Sequence, residues 1–244
     1  MLSGASNPPK ETKRYRTDRA LPKSDISCAT HKLFEGKLRA TADYYNLTKT
    51  NLPATDANPL HQCGGGPGSC SILIGEARSK GPELDIQGEL LPGWSIILAY
   101  ANQDVRVTKG SADQPTVGQR FPNIPQNLGS FWTTYEFQPD SELKGWKIGG
   151  GLIYHGSQPI LSFPTNYLGA MTSGYATVSL MGAYSFKIGD VKLTAQVNVT
   201  NLLDATYYGE TSVSSGSIPL PGYSSGLRPY GAPRAIMGSL SAQF

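Results

Sequence analysis

RAIMGSLSAQF, residues 234–244, sets Arg234, Ile236, Gly238, Leu240, Ala242 and Phe244 on one side of an extended chain. Ala235, Met237, Ser239, Ser241 and Gln243 fall on the other. A period of two with one oily and one hydrophilic side reads as a β-strand. An exposed phenyl ring closing such a strand suits the aromatic girdle of a membrane interface better than it suits water. The stretch therefore points to an outer-membrane β-barrel.

The seventh strand repeats the pattern most cleanly. Val191, Leu193, Ala195, Val197 and Val199 oppose Lys192, Thr194, Gln196, Asn198 and Thr200. Turning it over would aim Lys192 outward, and a lysine near the bilayer midplane costs about 2–4 kcal/mol. The valine side must meet the apolar phase. Working back along the chain, alternation recurs at residues 176–186, 146–155, 127–137, 94–107, 83–90 and 37–49. Ile97 interrupts it in the segment after Trp94. Together these make about eight strands joined by connections that alternate long and short, the outer-membrane pattern. Trp94, Trp146 and Phe186 flank the short turns, where a periplasmic girdle belongs.

Composition agrees without deciding. The 244 residues are 39% hydrophobic, with 28 Gly, 18 Pro and 13 Tyr, a balance that favours strands and turns over helices. Nothing approaches the ~20 apolar residues of a spanning helix, whereas a spanning strand needs only about 9–11. The competing reading is a soluble antiparallel sandwich, whose strands also alternate. Against it stand the Ser/Thr/Gln/Asn-rich inner faces and the loop asymmetry. A net charge of +3 with scattered Lys and Arg argues against a nucleic-acid surface. Lys10 to Arg19 is the most basic stretch, but Glu11 and Asp18 interrupt it and it has no periodic apolar face. MLSGASNPPKETKRYR lacks the pattern of an export signal.

Three cysteines occur, Cys28, Cys63 and Cys70. The Gly-rich span between Cys63 and Cys70 makes a loop disulfide the favoured pairing, with metal binding alongside His61 as the alternative. Cys28 has no evident mate. No catalytic constellation is present: His31, His61 and His155 are dispersed, no nucleophile-elbow, zinc or phosphate-loop pattern occurs, and Glu83, Asp85 and Glu89 read as solvated carboxylates of a lumen wall. Neither an enzyme nor a resident metal or covalently bound cofactor is expected.

RSKGPELDIQGELLPGWSIILAYANQDVRVTK, GQRFPNIPQNLGSFWTTYEF, VNVTNLLDATYY and YGAPRAIMGSLSAQF follow one another in this order. Over about Leu33 to Phe244 the chain resembles the TonB-dependent receptors of Gram-negative outer membranes, and among them the siderophore receptors of ferrichrome or ferric-hydroxamate type. The resemblance implies a carboxyl-terminal barrel portion, residues 33–244, preceded by an irregular segment, residues 1–32. In such receptors about 22 strands surround an amino-terminal plug; only about eight, an open part of that barrel, are expected here, without plug, TonB box or signal peptide. Implied partners are a ferric siderophore carrying iron as cargo, the TonB complex, the outer-membrane assembly machinery and the lipid bilayer. Two departures stand out. Arg16 to Lys32 reads as irregular where a strand would be expected, and Pro82 removes a ladder donor, which predicts a bulge or an edge.

By position, the siderophore candidates in the outer loops and upper lumen are Arg120, Phe121, Tyr154, His155, Tyr167, Tyr207, Tyr208, Tyr223 and Tyr230. Phe244 is expected to act as an assembly signal through strand pairing and an aromatic pocket. Beside transport by the intact protein, two other readings remain: a non-transporting structural remnant, or a small autonomous eight-stranded porin or adhesin.

Overall fold

The computed structural model describes residues 23–55, 71–110, 117–121, 123–159, 171–209, 212–220, 223–227 and 230–244. Apart from a three-residue 3-10 turn at Phe34–Gly36, the regular structure among these residues is all strand. In chain order the strands are β1 (Lys23–Leu33), β2 (Leu38–Thr55), β3 (Ser71–Leu91), β4 (Trp94–Asn102), β5 (Asp104–Lys109), β6 (Asn127–Glu136) and β7 (Trp146–His155). The rest are β8 (Gln158–Pro159), β9 (Met171–Thr172), β10 (Tyr175–Ile188), β11 (Val191–Thr200), β12 (Ser212–Leu220), β13 (Tyr223–Leu227) and β14 (Ala235–Gln243). One ten-stranded antiparallel sheet runs β1-β2-β3-β4-β6-β7-β10-β11-β14, with β5 also on β3. It is open, with β1 and β14 as its edges among the described residues. The pairs β8-β9 and β12-β13 lie within the long connections.

Register carries the two-sided character around the sheet. Directly opposed residues in an antiparallel pair point to one face, so the row Ala40, Ile86, Leu98, Phe131, Leu152 and Val178 is one apolar line across six strands. The valines of β11 join this outer face through Val197 opposite Gly182 and Gly238. The neighbouring inner row, Thr41, Asp85, Ala99, Ser130, Ile153 and Thr177, is mostly polar or small. Val197 is 51% exposed and Leu240 71%. Only Leu38, Tyr45 and Ala183 are buried hydrophobic side chains among the described residues. A sandwich would pack its apolar faces about 10 Å apart against a second sheet; the single large sheet here leaves its oily side uncovered.

Aromatics frame that side at both ends. Near the short turns, Trp94 lies opposite Tyr135, and the Trp146 and Tyr184 rings meet at 5.0 Å. Toward the long loops, Tyr44, Tyr100 and Tyr154 occupy the same face. Trp146 and Tyr154 are eight residues apart on β7, about 27 Å along a strand and about 20 Å along the normal at a 45° tilt, close to the ~25 Å apolar band of such barrels.

Three sequence expectations are revised or refined. Residues 23–33 form β1, paired with β2 from Lys23 opposite Thr48 to Leu33 opposite Leu38, so the irregular reading of Arg16 to Lys32 fails for its described part. The alternation there is weak because Asp25, Ser27 and His31 share the outer face with Ala29 and Leu33. Pairing with β2 overrides that weak local pattern, and β1 adds a ninth strand to the row. Ile97 sits on the inner face opposite Gln87 and Trp132, an inner apolar contact that leaves the register intact. At Pro82 the register with β2 is unbroken, Tyr44 being its opposite. The missing donor falls instead where the strand facing β3 breaks at Gln103, between β4 and β5. There the chains come so close that a Cβ at Gly81 would overlap the Asn102 carbonyl oxygen.

Candidate functional site

The long-loop end of the inner face gathers aromatic side chains. His155 and Tyr175 oppose each other where β7 ends and β10 begins, and their rings stack at 5.1 Å with an interplanar angle of 6°. Tyr207 extends the stack, its ring 4.0 Å from that of Tyr175 at 22°. Beside it, Tyr208 and Tyr230 bridge through their backbones and stack at 5.1 Å. The Tyr230 phenol is held above its ordinary pKa by its hydrogen bond with Tyr208.

A polar knot just past β11 holds Tyr207 in place. Asn201, only 4% exposed and at φ +48°, donates from Nδ2 to the carbonyls of Ala205 (2.9 Å) and Ala232 (3.1 Å). Its Oδ1 accepts the Ala205 amide at 2.9 Å. Asp204, also left-handed at φ +52°, accepts the Arg234 amide at 2.9 Å. Asn and Asp tolerate this backbone region better than most residues. The two ends of a connection of more than thirty residues are thus tied at its base. The Gly231 amide then donates to the Tyr207 carbonyl at 2.8 Å. A Cβ on Gly231 would overlap the Tyr207 ring, so glycine permits that close approach.

The sequence candidates separate on this frame. His155 and Tyr207 share one stack through Tyr175, and Tyr208 and Tyr230 form a second pair. Tyr154 lies on the outer face opposite Gly129 and Ala176, in the upper girdle. Arg120 bridges Arg106, away from the stack, and the Phe121 amide donates to Val105 at 2.7 Å. Tyr223 opens β13 opposite Leu220. Tyr167, His61, Cys63 and Cys70 lie outside the described residues. Cys28 is a free, exposed thiol. Tyr175 is not among the sequence candidates because the clear alternation of its strand begins at residue 176. Extending the alternation of Thr177 and Ser179 back by two places it on the inner face. On the lumen wall Asp43 opposes Glu83, and among the described residues no group of acids, His and Cys is arranged to hold a metal.

The β-barrel model described as "TonB dependent receptor-like, beta-barrel" matches residues 29–202. The chain belongs to the TonB-dependent receptor family. Members of this family are outer-membrane receptors, and the sheet is a part of their transmembrane barrel. The chain is 28% identical over 214 residues to the ferric-pyoverdine 358 receptor of Pseudomonas putida, covering 87% of this chain and 23% of that one. It is 33% identical over 177 residues to the metal-pseudopaline receptor CntO of Pseudomonas aeruginosa, covering 72% and 22%. Among solved structures, P. aeruginosa FpvA with a heterologous iron-loaded pyoverdine superposes with a TM-score of 0.68 at 25% identity, over 91% of this chain and 27% of that one. The chain thus spans about a quarter of the length of these relatives. They are named as receptors, which places the family outside the enzymes.

Proposed function

We propose that this chain supplies part of the wall and outer loops of a receptor that captures a ferric siderophore at the cell surface and admits it with energy from TonB. The carrying observation is the stack of His155, Tyr175 and Tyr207 on the inner face at the long-loop end. Aromatic faces favour the organic body of a chelate, and phenol hydroxyls are suited to donating to its oxygens. Iron travels inside the chelate as cargo, so the chain's own residues need only recognise the outside of the complex. The names of the relatives, which include a ferrioxamine B receptor, support ferric chelates as the ligand class. Within that class the ferrichrome or ferric-hydroxamate type is the finer reading.

Contact with the TonB complex belongs, in this proposal, to the whole receptor. Phe244 follows β14 on the outer face, 99% exposed, which suits an assembly signal. The remnant reading has no observation of its own in its favour, and the eight-stranded porin reading is disfavoured by nine strands in line, with β1 and β14 as open edges among the described residues.

The test is binding of ferrichrome and of iron-loaded pyoverdine to the intact receptor by quenching of its intrinsic fluorescence. Since an aromatic pair contributes about 0.5–1.5 kcal/mol beyond burial, Tyr175→Ala and Tyr207→Ala should each weaken binding by roughly two- to twelvefold. Tyr154→Ala, on the lipid side, should leave it unchanged. Tighter binding of ferrichrome supports the hydroxamate reading. Equal affinity in the Tyr175 and Tyr207 variants and the unaltered receptor refutes the proposed site.

A further inference from the structure

Below the stack, the inner face of β10, β11 and β14 forms one strip of small or hydrogen-bonding side chains. From Tyr175 it descends through Thr177, Ser179, Met181, Ala183 and Ser185 on β10. β11 adds Thr200, Asn198, Gln196 and Thr194, and β14 adds Ala235, Met237, Ser239 and Ser241. Register ties the strands into lines: Ser185 with Thr194 and Ser241, Ala183 with Gln196 and Ser239, and Met181 with Asn198 and Met237. No side chain of the strip carries a formal charge. The first charges come at its lower end, where Lys187 lies opposite Lys192. Ten residues separate Tyr175 from Ser185, about 33 Å along the strand and about 23 Å along the normal at a 45° tilt, so the strip crosses the ~25 Å apolar band.

The other described walls differ. On the inner face of β1, β2 and β3, Lys32 opposes Arg39, Asp43 opposes Glu83, and Asp85 opposes Thr41. β4, β6 and β7 present Ile97, Trp132 and Ile153, with Ile97 51% and Ile153 52% exposed. The Trp132 ring leans over Gly151, where a Cβ would come within 2.6 Å of it. A charged wall holds a polar ligand hard, since charge-assisted hydrogen bonds contribute about 1.5–3 kcal/mol against about 0.5–1.5 for neutral ones. An apolar wall strips water from polar groups and returns no partner. Neutral hydroxyls and amides replace that water with little net gain or loss, and a conducting surface needs sites weak enough to let go. Within the strip Ser185 Oγ and Thr194 Oγ1 lie 2.8 Å apart, and Gln196 Nε2 donates to Asn198 Oδ1 at 2.9 Å. The second bond leaves Gln196 Oε1 as an acceptor and Asn198 Nδ2 as a donor on adjacent lines.

We propose that a ferric chelate leaving the stack of His155, Tyr175 and Tyr207 passes down this strip, along β10, β11 and β14, and not along the charged or the apolar wall. The path rests on the transport reading above and adds to it the surface that the cargo follows. Continuity with the stack carries it. Tyr175 belongs to both, because the inner residue two places after it on β10 is Thr177. Carbonyl and amide groups on the outside of the chelate exchange water for Ser, Thr, Asn and Gln side chains one line at a time, so no single line detains it.

The test uses the intact receptor in cells given radioiron-labelled ferrichrome or pyoverdine, with surface binding measured in the cold and accumulation after warming. Gln196→Trp and Ser239→Trp, which narrow the strip on one line, should each lower accumulation about fivefold or more and leave surface binding unchanged. Gln196→Asn keeps the amide and should keep at least half of the uptake. Ser95→Trp, on the inner face of β4 in the register line of Met181 and Asn198, lies outside the strip and should accumulate iron like the unaltered receptor. Where a Trp variant fails to insert, Ser239→Cys modified by a bulky thiol reagent narrows a barrel already folded, with the unaltered receptor treated identically as its control. Undiminished accumulation in the Gln196 and Ser239 variants overturns the path, as does an equal loss in Ser95→Trp, which would mark a lumen blocked from any wall. Either result leaves the transport reading standing. Absence of binding of both chelates to the unaltered receptor would refute that reading, and the path with it.

Discussion

Replacing Asn201 by Ala attacks the knot at the base of the longest connection. The amide side chain makes three hydrogen bonds to backbone groups of Ala205 and Ala232, each worth about 0.5–1.5 kcal/mol net, and truncation strands those groups in a nearly closed site. Alanine at φ +48° adds roughly 1 kcal/mol of left-handed backbone penalty. Asn201→Ala should therefore destabilise the folded protein by roughly 3–5 kcal/mol, read as a lowered denaturant midpoint. Asn201→Gly loses the same bonds but not the backbone penalty, so it should recover about 1 kcal/mol of that loss. Trypsin should cut within the connection between β11 and β14 sooner in both variants, because Tyr207 and Gly231 are no longer tied, and Tyr207 should leave the stack on His155 and Tyr175. Unchanged stability together with an unchanged cleavage rate would show that the knot does not hold this connection.

Nitroxides at Val197 and Leu240 should be quenched by membrane-dissolved oxygen, and labels at Gln196 and Ser239 by a water-soluble nickel complex; the reverse would overturn the register. Val197→Lys should destabilise by about 2–4 kcal/mol in the bilayer, while Gln196→Lys, facing the lumen, should change stability little. Glu76, well beyond the bilayer end of β3, is held below the ordinary carboxyl pKa first by the hydrogen bond from Lys109 and then by that from Thr108. A depressed folded-state pKa means its stabilisation is complete above the ordinary value of 4.5 and is lost as pH falls through the folded value. Amide exchange at the β3-β5 contact should accelerate in that acidic window, and Glu76→Gln should remove the pH dependence. Deleting Phe244 from the intact, exported receptor should slow insertion into the outer membrane, measured by heat-modifiable migration; insertion at the normal rate would remove its role as an assembly signal.

Where side-chain type alone sets orientation, the sequence was readable. Lys192 and Val197 could face only one way around, and the register of β11 with β10 and β14 follows. The same alternation sets Tyr154 and His155 on opposite sides, so only His155 of the two can reach the lumen. What escaped was whatever depends on a neighbour. β1 is extended because β2 pairs with it, not because Asp25, Ser27 or His31 prefers a strand. Pro82 is tolerated because its missing donor falls at the interruption beside Gln103, a coincidence of two distant segments. The stack on Tyr175 needed the cross-strand match to His155, and Asn201 was legible as part of a motif while its three backbone partners, two of them at Ala205 and one at Ala232, were not.

The two rims of the sheet carry one more consequence. β1 and β14 are the first and last of nine strands in line, so both run from the long-loop end toward the short turns. Joining them directly, or joining two copies inserted the same way up, would make a parallel seam in an otherwise antiparallel wall. A complement that closes the ring with antiparallel seams must begin and finish with a rising strand, and its strand count is therefore odd.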